Sequence, residues 1–182
     1  EQLVQSDERL EEMIAAARER YRQEPTNRLH LTDLANLLCR REDPRQEDEA
    51  IELLKKAAED LNEYRFKMRA DDIRMRQFNR QVRALQAQGD VEAAKKLLLQ
   101  QLRFELEVHK ERSDRYPTDM RKRYQYGMSL FKLHRYDEAI PVLQEARNDP
   151  KTRGHCNLYI GRCFFERGYH SQAIDTLLEA IQ

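Results

Sequence analysis

The chain has 182 residues, 36% of them charged, and its 33 basic residues cancel its 33 acidic ones. That balance excludes a whole-molecule field that would hold the protein on nucleic acid or a membrane, and a mean hydropathy of -0.95 suits a thin helical protein better than one compact globule. Five glycines, five prolines and no tryptophan punctuate a chain dominated by Ala, Leu, Glu, Arg, Lys and Gln; these residues favour helices, so the expected fold is all-α. No uncharged apolar run approaches the roughly 20 residues that span a bilayer, so no membrane insertion is expected in this segment. Cys39, Cys156 and Cys163 are too few and scattered for a disulfide framework. Together with the absence of a recognisable signal peptide they point to a cytoplasmic setting. The chain begins at Glu1 and stops inside an apolar-periodic segment, which reads as a piece of a longer protein.

In chain order, a first helix is expected over 3–23. A helix pair over 26–60 follows, carrying Leu34, Ala35, Leu38, Ala50, Leu54 and Ala57, with an extended turn in "RREDPRQEDEA". From Arg45 to Gln88 there is neither glycine nor proline, and Ala50, Leu54, Ala57, Leu61, Tyr64, Met68, Asp71, Met75, Phe78, Val82 and Leu85 alternate at spacings of four and three. A period of about 3.5 residues held this long is a coiled-coil-type seam. It predicts one continuous helix over about 46–88, some 65 Å at 1.5 Å per residue; the rival reading breaks it near Ala70, with Asp71 or Asp72 as N-cap. Arg65, Arg69, Arg76, Arg80 and Arg83 fall within about 60° of one another on that helix, forming a basic stripe beside the seam, with Asp72 on the same face and Glu63 nearby.

Gly89 is placed to stop this helix and Asp90 to start the next. The segment "VEAAKKLLLQQLRFELEVHKERSDR" has two apolar faces, one with Val91, Ala94, Leu98 and Leu102, the other with Ala93, Leu97, Phe104 and Val108. It is expected to lie sandwiched between neighbours, forming an extended antiparallel hairpin over about 64–114. Then "RYPTDMRKRYQYG" opens a more regular region: Pro117 ends one helix, Thr118 or Asp119 can cap the next, and Tyr126 and Gly127 occupy packing positions.

A shift of 34 residues aligns the last two helix pairs, 117–150 and 151–182. Gly127 meets Gly161, Leu130 meets Phe164, Phe131 meets Phe165, Ala139 meets Ala173, Ile140 meets Ile174, Leu143 meets Leu177 and Ala146 meets Ala180. Short turns are expected at Leu133 to Tyr136 and at Arg167 to His170. A glycine inside a helix costs about 1 kcal/mol relative to alanine, so two at one register imply a neighbouring backbone too close for a Cβ.

This pattern resembles the tetratricopeptide repeat (TPR), a 34-residue helix-turn-helix unit, most specifically over 117–182 and in degenerate form over 26–60 and 61–115. The resemblance implies a single helical-repeat domain, a right-handed solenoid of antiparallel pairs, whose first helices line a concave groove that receives a protein or peptide. Carried onto this chain, the groove positions are Arg121, Tyr124, Gln125, Met128 and Lys132 in one unit and His155, Tyr159, Arg162 and Glu166 in the next. Some relatives grip a terminal carboxylate with Asn and Lys. Asn36 offers one such group, but Thr32 stands where the lysine is wanted and Met128 replaces a second polar position, so carboxylate capture is not supported.

Signals for chemistry are poor. Cys156 and Cys163 are seven residues apart, unlike the two-to-four spacing of zinc knuckles, and adjacent acids such as Glu11 and Glu12, or Asp71 and Asp72, diverge on a helix. His109, His134, His155 and His170 sit in no motif, and there is no phosphate loop, nucleophile elbow or HExxH. No catalytic residue, metal, cofactor or small-molecule substrate is expected, and the reading is a non-enzymatic protein-interaction scaffold. Two alternatives remain open: self-association through the 50–85 seam, and an acidic partner or nucleic acid on the arginine stripe, although nothing like an aromatic platform supports nucleic acid.

Overall fold

The computed structural model describes residues 2–180; the last two positions of the unit expected over 151–182 lie outside them. The described residues form nine helices and no strand: α1 (Gln2–Gln23), α2 (Arg28–Leu38), α3 (Pro44–Asp60), α4 (Tyr64–Ala87), α5 (Val91–Arg115), α6 (Met120–Lys132), α7 (Tyr136–Ala146), α8 (Pro150–Glu166) and α9 (His170–Glu179). None is long and apolar enough to cross a membrane. They pack as two compact units, Glu1–Gly89 and Asp90–Gln182.

In the first unit each helix packs on the next, α1 on α2, α2 on α3 and α3 on α4. Their shared core includes Ile14, Leu31, Leu34, Ala35, Leu38, Ala50, Ile51, Leu54, Phe66 and Ile73. In the second unit α5 packs on α6, α6 pairs with α7, α7 packs on α8, α8 pairs with α9, and α6 also touches α8. The core of that unit is built on Leu130, Ala139, Leu143, Ala146, Cys156, Ile160 and Cys163.

The helix starts follow from side-chain caps. Asn27, Asp43, Asp90, Asp119 and Asp149 each accept hydrogen bonds from backbone N–H groups of the first turn, satisfying donors that the helix itself leaves open. Of the two expected caps for α6, Asp119 fills the role, accepting from Arg121 N and Lys122 N. Three helix ends share one device. After α3, α6 and α8 the chain turns through a left-handed residue, Asn62 (φ 52°), His134 (φ 58°) or Gly168 (φ 79°). In each case that residue's N–H and the following N–H fold back onto carbonyls of the last turn: Asn62 to Glu59 and Glu63 to Ala58, His134 to Phe131 and Arg135 to Leu130, Gly168 to Phe165 and Tyr169 to Phe164. This is the Schellman arrangement.

The arrangement corrects the expected long helix. There is no continuous helix over 46–88: α3 ends at Asp60, α4 begins at Tyr64, and the chain reverses through Leu61–Glu63. The rival break is also absent, since α4 runs unbroken past Ala70 and Asp71 is buried within it. The seam survived in the sequence because the turn falls within one spacing of three, from Leu61 to Tyr64, so two packed helices mimic one. None of its eleven positions is exposed, and Ala50, Leu54 and Ala57 belong to the first unit's core. In α5, Val91 and Leu98 are exposed while Ala94 and Val108 are buried, so the first of its two apolar faces is only partly covered.

The repeated glycines meet the constraint their register implied, in a different form. A Cβ on Gly127 would lie 2.6 Å from Leu143 Cδ2 and 2.7 Å from its Cγ, and one on Gly161 would lie 2.6 Å from Leu177 Cγ and 2.8 Å from Cδ2. The intruder is a leucine side chain of the paired helix rather than backbone, although at Gly161 the Ala173 carbonyl oxygen would also lie only 3.3 Å from the Cβ.

Candidate functional site

The expected groove positions all fall on α6 and α8, the first helices of the last two pairs. Leu143 and Leu177 seat each glycine against its partner helix, which fixes the rotation of α6 and α8 and turns the opposite stripe of each outward. Leu130 and Gly127 are buried on α6, and Cys156, Ile160, Gly161 and Cys163 on α8. Between those inner stripes and full solvent, Tyr124, Met128 and Tyr159 are half-buried, whereas Arg121, Gln125, Lys132, His155, Arg162 and Glu166 are exposed.

Several of these side chains form one cluster. The Tyr124 ring lies 6.2 Å from His155 and 6.4 Å from Tyr159. Tyr159 meets Phe131 edge to face at 5.1 Å, an arrangement that ring quadrupoles favour. The Arg162 guanidinium sits 4.8 Å from the Phe131 centroid and 5.5 Å from that of Tyr159, within cation–π range. Among the described residues Arg162 has no carboxylate partner, so its N–H edge is open to an incoming acceptor. Phe131 was not among the expected site residues; its alignment with Phe165, which is 60% exposed, was the signal that this register is not purely internal.

The remaining positions are less alike. Lys132 Nζ donates to Glu105 Oε2 on α5 at 3.0 Å, so its charge is matched inside the unit. The Gln125 carbonyl accepts from Ser129 Oγ at 3.1 Å. Arg121 lines a shallow polar hollow at the starts of α6 and α8 with Thr118, Asp119, Asp149 and Lys151. Burial raises the Tyr124 hydroxyl pKa, helped by Tyr159 and Cys156. Burial also pushes Cys156 up to about 11 and Cys163 up to about 12, so both thiols stay protonated at neutral pH and pack as small apolar groups. Among the described residues no three His, Cys, Asp or Glu side chains gather as metal ligands would.

The five stripe arginines all lie on α4, in unequal circumstances. Arg65 pairs with Glu63 at 2.6 Å and covers the Phe66 ring at 4.8 Å. Glu63 also accepts from Arg28, the largest cause of its lowered pKa. Arg80 pairs with the buried Glu47 and, at 3.5 Å, with Glu42. Arg69 donates to the amide oxygen of Asn36 on α2, so the asparagine weighed for carboxylate capture is engaged by an arginine. Arg76 and Arg83 are exposed.

With this geometry in view, comparison with solved proteins is informative. YrrB, described as a TPR protein with an unusual peptide-binding site, matches at a TM-score of 0.54 and 17% identity, over 99% of this chain and 80% of that one. The fold is TPR-like. A structure of MamA, MSR-1 C2, matches at 0.53 and 16% identity, over 96% of this chain and 87% of its own. No protein-family model matches the sequence, and no curated protein matches it. These likenesses establish an all-helical, TPR-type fold.

Proposed function

We propose that this chain is a degenerate TPR array that binds a segment of a partner protein on the outward face of α6 and α8, as a non-enzymatic scaffold. The observation that carries the reading is the half-covered cluster of Tyr124, Phe131, Tyr159 and Arg162. Aromatic and arginine side chains are the residues over-represented at binding hot spots. Here they are held by each other, so little ordering remains to oppose binding. An apolar anchor of the partner would rest against Tyr124, Met128 and Tyr159, and an acidic group would reach the open edge of Arg162; Gln125, His155, Glu166, Arg121 and Lys132 frame the contact. The buried, protonated thiols of Cys156 and Cys163 add packing rather than nucleophilic chemistry. No seam position is exposed within the monomer, five being buried and six half-buried, which favours this reading over self-association through 50–85.

Selection of peptides from a displayed random library, followed by titration calorimetry, tests it. Peptides selected on the wild-type chain should bind Tyr159→Ala or Arg162→Gln at least about thirtyfold more weakly, the effect of losing roughly 2 kcal/mol at a hot spot. Equal affinity for both variants, with helicity unchanged, would remove α6 and α8 as the site.

A further inference from the structure

The first unit carries a second surface of a different character. Of the five arginines on α4, Arg65 and Arg80 are held by carboxylates of their own unit. The other three, Arg69, Arg76 and Arg83, are each seven residues apart. A straight helix drifts by only about 20° per seven residues, so they form a nearly linear row along one helix face, with steps of about 10.5 Å and a total span of about 21 Å. Among the described residues, Arg69 is met by the neutral Asn36 amide oxygen and by no carboxylate. Arg76 and Arg83 are exposed and have no hydrogen-bonding or ionic partner among the described residues. Two members of the row, Arg69 and Arg76, act electrostatically on Cys39, the residue that follows α2, and so lie toward that end of α2.

We infer that this row docks an acidic segment of another polypeptide whose carboxylates recur about every 10 Å. In a polyproline II segment, with three residues per turn and a rise of about 3.1 Å, every third side chain returns to the same face after about 9.3 Å. An acidic residue at each third position would then place one carboxylate opposite each guanidinium, the long arginine side chains taking up the small difference in step, and bidentate pairing is available. The surroundings favour such spaced charge over the continuous phosphate chain of a nucleic acid. Glu63 and Glu42 neutralise the arginines that would otherwise join the row into one basic track, leaving separated cations that suit spaced carboxylates better than an unbroken polyanion. The aromatic residues of α4, Tyr64, Phe66 and Phe78, are buried or half-buried, leaving no exposed ring for a base to stack on. This surface is independent of the aromatic cluster on α6 and α8, and either assignment can fail without the other.

Fluorescence anisotropy at low salt with the full chain tests the inference, using a labelled fifteen-residue peptide of five Glu-Ser-Gly repeats. Two probes accompany it: a peptide of the same composition with its five glutamates contiguous, and a six-nucleotide single strand with five phosphates. The spaced peptide should bind best. Arg69→Gln/Arg76→Gln/Arg83→Gln should weaken it at least fivefold, while the equally charged control Arg9→Gln/Arg20→Gln/Arg45→Gln changes it less than twofold. Reversal at one step, Arg76→Glu, should restore binding to a peptide whose middle glutamate is lysine, which a merely unfolded variant would not do. Equal losses in the two triple variants, no binding by the spaced peptide, or preference for either of the other probes would overturn the assignment.

Discussion

The helix pair α2–α3 and the pairs α6–α7 and α8–α9 solve one packing problem with different materials. In the later pairs a glycine receives the leucine of the partner helix, Gly127 with Leu143 and Gly161 with Leu177. In the first pair the corresponding positions are Ala35 and Leu54, both fully buried, so a Cβ is accommodated there. Both units tie helices with ion pairs, Arg18 to Glu49, Arg74 to Asp48 and Arg80 to Glu47 in the first, where the pair to the buried Glu47 is the most enclosed, and Arg123 to Glu145 and Lys132 to Glu105 in the second. Around α6 and α8 rings also stack on rings and on Arg162. The repeat plan therefore fixes where small and large residues go, while the means of joining one helix pair to the next is free to vary.

The largest test of this contrast is at Arg80. Glu47 is only 2% exposed, and removing its partner would leave a buried carboxylate uncompensated, which typically costs about 3 kcal/mol or more. Arg80→Leu should lower the urea midpoint accordingly. Adding Glu47→Leu should recover much of the loss, because apolar replacement of both partners removes the stranded charge. A single variant as stable as the wild type would show that the pair contributes nothing to the packing of α3 on α4.

A smaller loss, from opposite substitutions in the two regions, is expected at the glycine register. Gly127→Ala gains about 1 kcal/mol of helix propensity but drives a Cβ into the buried Leu143, an overpacking cost near the upper end of about 1–3 kcal/mol. Denaturant unfolding should show a net loss of about 2 kcal/mol. Ala35→Gly, at the matching position of the first pair, should lose about 1 kcal/mol through backbone entropy alone. If Gly127→Ala were stabilising, the close approach of Leu143 would not be what holds glycine at this position.

How much of this was legible in the sequence follows the same division. The 34-residue shift located the last two pairs and both their turns to within a residue, because small residues at fixed depth leave an unambiguous mark. The break between α3 and α4 was missed: its turn is three residues long, contains neither glycine nor proline, and preserves the apolar spacing. Its one signal was Asn62, a residue type that tolerates the left-handed conformation. The expected groove positions were assigned to what are now α6 and α8 by register alone. That register could not show that Lys132 is matched by Glu105 or that Phe131 joins the cluster, since both depend on which way a side chain turns once its helices are packed. The arginine stripe was visible as a face, but its division into internally paired and open members rests on the carboxylates that α2 and α3 bring near it.

The smallest effect concerns the turn that ends α6. His134 and Gly168 occupy the same position 34 residues apart, with φ of 58° and 79°, and a residue with a side chain pays about 1 kcal/mol or more for the left-handed conformation that glycine adopts freely. His134→Gly relieves that strain but gives up the ring contact with Tyr136 at 5.6 Å and makes the unfolded chain more flexible. A gain of about 0.5 kcal/mol is therefore expected, read as a small rise in denaturation midpoint with unchanged slope. The converse change, Gly168→His, introduces the strain into a turn where a Cβ would meet nothing within 4 Å, so its cost should be conformational rather than steric, about 1 kcal/mol. If His134→Gly destabilised the chain as much as Gly168→His does, the histidine would be held by its contact with Tyr136, and the first of these two turns would depend on its side chains rather than on its backbone.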